Sequence, residues 1–188
     1  MDFRDKNHQI NQDMLKIKNI SIAFGLWLLC ILQISAQDID PKYEAIFIYN
    51  FTKNIGWPRE DGHSNFIIGI LGNGDIVKEM QLMASLKSVG DRTIKVKVFE
   101  NIESIEHCHI LFITKEQSNQ ISIAREKLKG MSTLYITESL GMAQNGSDIN
   151  LVSKVNKVIF ELNTKNLENN RLKISNTLLK LANKIFTN

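Results

Sequence analysis

The stretch NFIIGILGNGDIVKEMQLMASL, Asn65–Leu86, decides the fold class. Asn65–Gly72 is a short, continuous apolar run without polar alternation, the pattern of a strand buried on both faces. Asn73-Gly74-Asp75 turns the chain, with Asp75 placed to cap the next element. Ile76–Leu86 is amphipathic at helical spacing. A doubly covered strand that leads straight into a helix opens a parallel α/β unit.

The same alternation continues downstream. Arg92–Phe99 sets Ile94, Val96 and Val98 against Lys95 and Lys97, a strand with one buried face. His109–Thr114 reads as a second fully buried strand. A helix starts near Ile121 and stops at Gly130, and Ser132–Ser139 is a further strand. Ser147–Asn163 holds two strands with little between them, an antiparallel pair. The tail is helical in at least its second half, with Ile174, Leu178, Leu181 and Ile185 on one face and Ser175 or Asn176 as cap. The expected fold is therefore α/β: a single domain with a mostly parallel mixed sheet flanked by helices and an antiparallel strand pair near the C-terminus.

Upstream lies YEAIFIYNFTKNIGWP, Tyr43–Pro58. Tyr43, Phe47, Phe51 and Ile55 recur every four residues and Ile48 joins them, which predicts a helix packed on the core, with Glu44 and Lys53 on other faces. Asp40 and Pro41 supply a cap and first turn, and Gly56 and Pro58 end it. Trp57, just past the helix, is the aromatic least committed to the core.

Before it, Lys16 and Lys18 precede the apolar run Ile20–Ser35 and then Ala36, the order of a secretory signal. The run is shorter than the ~20 residues a span needs. The expected division is a leader over residues 1–36, cleaved after Ala36, and a folded domain over residues 37–188. The chain carries 23 Lys and Arg against 20 Asp and Glu, a net charge of +3, too balanced for a nucleic-acid footprint. Of its 2 cysteines, Cys30 lies in the leader, so Cys108 has no partner for an internal disulfide and reads as a buried thiol at the mouth of a strand.

Motifs for chemistry are sparse. Gly72 and Gly74 flank a strand-to-helix turn, but the third glycine of a dinucleotide fingerprint is missing, Val77 standing in its place, and no Gly-Lys-Ser/Thr is present. His107 and His109 share one side of a strand with Cys108 on the other, too few convergent ligands for zinc. Thr114-Lys115 echoes a phosphoacceptor strand end without its acidic partners. No Gly-x-Ser-x-Gly elbow or Ser-x-x-Lys lies in residues 37–188. These readings name no enzyme, no cofactor and no metal.

Taken in order, AIFIYNFTKNIGWP, IGILG, CHILFIT, GMAQNGSDINLV, VIFELN and RLKISNTLLKLA resemble the YfiR family, small exported bacterial proteins also described as YfiR/HmsC-like, over about Tyr43–Ala182. The resemblance implies a non-enzymatic periplasmic regulator, and the leader, with no twin-arginine pair over Met14–Gln37, reads as a Sec-type signal. It would bind and repress the periplasmic part of an inner-membrane signalling protein. A diguanylate cyclase is the foremost partner class, which makes cyclic-di-GMP and biofilm formation the output; a sensor histidine kinase is the alternative, and a homodimer is compatible. The family blocks contain Tyr49, Phe51, Trp57, Pro58, Gly72, Cys108, His109, Asn150 and Ser175, in structural or partner-binding roles. Some relatives pair the Cys of the CHILFI-like block with a second Cys on the ILG strand; Gly69 stands at the nearest equivalent here.

A second reading, a small-ligand module, places a pocket near Gly72, Gly74 and the loop Gly141–Ser147, because open α/β sheets bind ligands at the carboxyl ends of their strands. The surfaces first expected to meet a partner are the loop Met142–Asn150 and the helix end at Ile55–Trp57.

Overall fold

The structure is a computed structural model that describes residues 38–58, 65–154 and 157–188. The leader expected over residues 1–36, with its cleavage point, lies outside the described residues, as does His63. Among the described residues, no helix is long and apolar enough to cross a membrane.

The chain runs as α1 (Pro41–Asn54), β1 (Ile55–Gly56), β2 (Asn65–Leu71), α2 (Asp75–Leu86), β3 (Ser88–Val89), β4 (Arg92–Phe99) and β5 (Ile110–Ile113). There follow α3 (Ile121–Lys127), β6 (Leu134–Thr137), β7 (Ile149–Lys154), β8 (Lys157–Asn163), α4 (Thr164–Asn169), β9 (Lys173–Ile174), α5 (Asn176–Leu181) and β10 (Lys184–Phe186). Short 3-10 turns cover Ile102–Ser104 and Lys115–Gln120.

Eight strands form one sheet in the order β10-β8-β7-β6-β5-β2-β4-β3, and β1 pairs with β9 in a separate antiparallel ribbon. β2 is parallel to both β4 and β5, and β5, β6 and β7 continue in parallel. The β7–β8 pair is antiparallel, as the sequence predicts. The expected α/β class, with a mostly parallel mixed sheet, is what the chain adopts.

Alternation along the central strands divides the core in two. Phe66, Ile68, Ile70, Ile110 and Phe112 face α1 and α2, meeting Ile48, Phe51, Ile76 and Met80. Leu71, Leu111 and Ile113 face the other way, toward Ile121, Ala124 and Leu128 around α3. Helices thus cover both faces of β2 and β5, which is why those strands are apolar without interruption.

Several expectations need correction. The buried stripe of α1 is Glu44, Ala45, Ile48, Phe51 and Thr52, leading to Ile55. Tyr43 is 54% exposed and Phe47 only flanks the core. A helix advances 3.6 residues per turn, so a strict four-residue repeat drifts off the buried face, whereas 44, 48, 51 and 55 stay on it. The cap of α2 is Gly74, not Asp75; Asp75 is the first helical residue and pairs with Lys78 at 3.1 Å. In β4, Val98 is exposed, and Phe99, on the side of the lysines, enters the α3-side core instead.

The tail departs most. It is two short helices and two short strands, with Leu178 buried but Leu181 and Ile185 exposed. Ser175 does cap α5, accepting from Leu178 N at 3.1 Å. Ala182 then turns extended, and Lys184–Phe186 add to β8 in parallel, with Asn183 N donating to Phe160 O at 2.9 Å. The open edge of β8 takes the segment as a strand, and edge hydrogen bonding outweighs a helical pattern only a few residues long.

Candidate functional site: a cleft at the carboxyl ends of the central strands

Chain order places a topological switch between β2 and β5. From β2 the chain passes through α2 to β4 on one side, then crosses to β5 on the other and proceeds outward to β6. The loops after β2 and β5 therefore leave toward opposite faces, and the gap between them is the place where open α/β sheets bind ligands. A cleft of about 530 Å³ lies there. Asn73, Gly74, Asp75 and Ile76 line it from the β2–α2 turn, Thr114, Lys115 and Glu116 from the end of β5, and Glu138 from the end of β6. Asp38, Ile39, Pro41 and Glu44 close it from the start of α1.

Gly72 makes the turn possible. Its φ of +109° is reserved for glycine, and a Cβ there would sit 2.3 Å from Thr114 Oγ1. Gly72→Ala is expected to destabilise the fold by about 2 kcal/mol through strain and overlap, measured as a lower urea midpoint. Gly74, φ +132°, begins α2 with no side-chain cap, so the first turn of that helix opens toward the cleft.

Glu44 is the unusual member. It is 3% exposed, and its Oε1 has no hydrogen-bond donor. Burial, then the Glu138 carboxyl beside it, then Asp40 and Asp38, push its pKa up to about 9. At neutral pH it is therefore a carboxylic acid, able to donate to Glu138. Glu138 Oε1 also accepts from Lys115 N at 3.1 Å, while Lys115 Nζ pairs with Asp38 at 2.7 Å. Thr114 Oγ1 is a second buried oxygen without a partner. Buried polar groups are nearly always satisfied. Among the described residues Ser132 and Ser147 also carry an unpartnered buried oxygen, but the cleft brings two of them together, one on a carboxyl.

The residues picked out from the sequence do not converge on this cleft. Gly74 lines it and Gly72 shapes it, but the loop Gly141–Ser147 does not line it. Trp57 and His109 meet at the opposite end of the sheet: Trp57 is half-buried, its Nε1 donates to His109 O at 3.1 Å, and its ring stands edge-on to Phe66 at 5.0 Å. His109 stacks on Phe66 at 4.5 Å, and its Nδ1 accepts from Ile67 N at 3.0 Å, fixing the entry to β5. Pro58 lies just beyond β1, half-buried. Phe51 packs against Phe160 in the core, and Tyr49 lies under the Lys53 ammonium at 4.5 Å. Asn150 is fully buried and accepts from Thr137 Oγ1 at 2.7 Å. Ser175 Oγ donates to Asn54 Oδ1 at 2.9 Å, tying the tail to the end of α1. In the loop Met142–Asn150, Ala143, Ser147, Asp148, Ile149 and Asn150 are buried, so only its tip at Gln144 and Asn145 is exposed.

Cys108 is buried, and burial raises its thiol to about 12. It is expected to stay unreactive toward Ellman's reagent in the native protein and to react fully in denaturant. Gly69 lies across from it, where a Cβ would be 3.1 Å from Cys108 Sγ and 2.6 Å from the Phe99 ring. His107 and His109 rings meet at 5.3 Å with Cys108 turned into the α3-side core, the facing that the sequence predicts. Among the described residues, no group of three or more His, Cys, Asp and Glu is placed to hold a metal.

Sequence reasoning misses Glu44, Thr114, Glu138 and Asp38 as cleft residues. A signal for Glu44 is present: it shares the helical face of Ile48, Phe51 and Ile55, and an acid on an apolar face calls for an explanation.

A family model described as YfiR/HmsC-like matches residues 41–183. The chain belongs to the YfiR/HmsC-like family. The match runs from the first residue of α1 to the residue before the last strand, so the sheet apart from β10, and the cleft apart from Asp38 and Ile39, lie within the matched residues. No curated protein matches the chain.

Proposed function

We propose that this YfiR/HmsC-like protein is a non-enzymatic periplasmic regulator that binds the periplasmic part of an inner-membrane signalling protein and holds it inactive. A diguanylate cyclase is the favoured partner, with cyclic-di-GMP and biofilm formation as the output. The observation that carries this reading is the family match over residues 41–183. Deleting the gene should raise cyclic-di-GMP, and the tagged protein should retain an inner-membrane signalling protein. Unchanged cyclic-di-GMP together with an empty pulldown would overturn the proposal.

The cleft favours a second reading, which can operate alongside the first. A small ligand bound at the switch point would tune partner binding, whether the partner is a cyclase or a sensor histidine kinase. A thermal-shift screen of metabolites tests it, and a screen with no stabilising compound would count against it.

A further inference from the structure

We infer that the cleft takes a small organic cation, a primary amine or diamine, with its ammonium seated between the carboxyls of Glu44 and Glu138. This rests on the reading of the cleft as a ligand site and names the chemistry of its ligand.

Charge is the first argument. The lining brings Asp38, Glu44, Asp75, Glu116 and Glu138 together against Lys115, whose ammonium is already paired with Asp38 at 2.7 Å. That balance repels an anion, even though an uncapped helix start would otherwise attract one. Hydrogen bonding is the second. Glu44 and Thr114 are each 3% exposed, and each carries a buried oxygen without a donor. Both of these oxygens accept hydrogen bonds, as does the Glu138 carboxylate. An alkylammonium brings three N–H donors and no acceptor. Size is the third, since about 530 Å³ falls in the range of small-molecule sites. A divalent cation fits less well, because no three acidic or His/Cys side chains among the described residues converge to hold one.

The exchange conserves charge. Glu44 gives up its carboxyl proton to solvent, and the ligand ammonium takes that proton's place beside the two carboxylates. Glu138, Asp38 and Asp40 face Glu44 with negative charge, Asp75 and Glu116 stand at the rim, and Lys115 is the basic group of the lining. One proton is thus released for each ligand bound, and affinity rises about tenfold per pH unit while free Glu44 remains protonated.

The experiment is calorimetric titration of the intact protein with 1,4-diaminobutane at pH 7 and pH 8, in two buffers of different protonation heat. Saturable binding, release of close to one proton and the stated pH dependence are expected. Glu44→Gln should weaken binding more than about tenfold, and Glu138→Gln should weaken it too. Misfolding cannot account for the Glu44→Gln result if its unfolding midpoint equals or exceeds that of wild type, as expected when a buried ionisable acid is replaced by a neutral amide of its size. Binding without proton release, or binding indifferent to Glu44→Gln, would overturn the inference. So would stabilisation by calcium chloride or inorganic phosphate with none by diaminobutane, although that result would leave a ligand cleft in place. A blank diaminobutane titration also overturns it; the cleft reading itself falls only if the metabolite screen is blank as well.

Discussion

Glu44→Gln is expected to stabilise the protein at pH 7, by on the order of 3 kcal/mol as an upper figure. In the folded state the Glu44 carboxyl is raised from its ordinary 4.5 to about 9 by burial and by the acids around it. The fold therefore binds a proton that the unfolded chain releases. Its stabilising contribution is complete below pH 4.5 and is lost as pH rises through about 9. At pH 7 the native state is already holding a proton that an unfolded glutamate would have given up. Gln keeps the size and the donor toward Glu138 and has no proton to lose. Urea unfolding at pH 5, 7 and 8 would show the gap between variant and wild type widening with pH. Equal midpoints at pH 8 would mean that Glu44 is ionised in the native state at no penalty. A residue that weakens its own fold is unusual in a core, and such sites are commonly kept for function.

Asp148→Ala is expected to work in the opposite direction, destabilising by about 4 kcal/mol. Asp148 is fully buried at the entrance to β7. Its carboxylate accepts from Arg125 Nη1 at 3.0 Å, from Asn170 Nδ2 at 2.9 Å and from Tyr135 N at 2.7 Å. Burial alone would keep the acid protonated, but Arg125 and these donors pull back, and the balance lies at about 6. Removing the carboxylate strands the buried Tyr135 N–H and takes the counter-charge from a guanidinium whose side chain is only 21% exposed, leaving it the Gly146 carbonyl and the Asn170 amide oxygen. One side chain joins α3, β6, β7 and the end of α4, so its loss should loosen all four. The check is the urea midpoint, with Arg125→Ala in a double-mutant cycle. A loss under about 1 kcal/mol, or additive effects, would show that the pair is not coupled.

The parts of the fold legible in the sequence are those where burial is symmetric. β2 and β5 are apolar on both faces and too short for buried helices, so their runs read as central strands, and with the intervening helices they point to a parallel sheet. The tail misleads because Ile174, Leu178, Leu181 and Ile185 fall at helical spacing by position alone, while the partners of this segment are the Ile55–Gly56 ribbon and the edge of β8. Short segments take their structure from tertiary contacts that the local pattern does not contain. The same reason hides the cleft. Gly72 and Gly74 announce a turn, but the acids that give the cleft its character arrive from α1, β5 and β6. Only the crossover from β4 to β5 brings them together, and no spacing along the chain records it.

The ribbon of β1 with β9 has a consequence for the order of events in folding. Ile55 meets Ile174, and Ser175 binds Asn54, across most of the length of the domain. Closing so long a loop is slow compared with forming the local β-α-β units. The helix that carries Glu44 belongs to the first part of the domain to be synthesised, yet it is fastened by nearly the last. Until Lys173–Ser175 arrive, α1 lacks this clasp at its carboxyl end. A chain ending at Leu172 should still pair its central strands, while hydrogen exchange in α1 becomes fast.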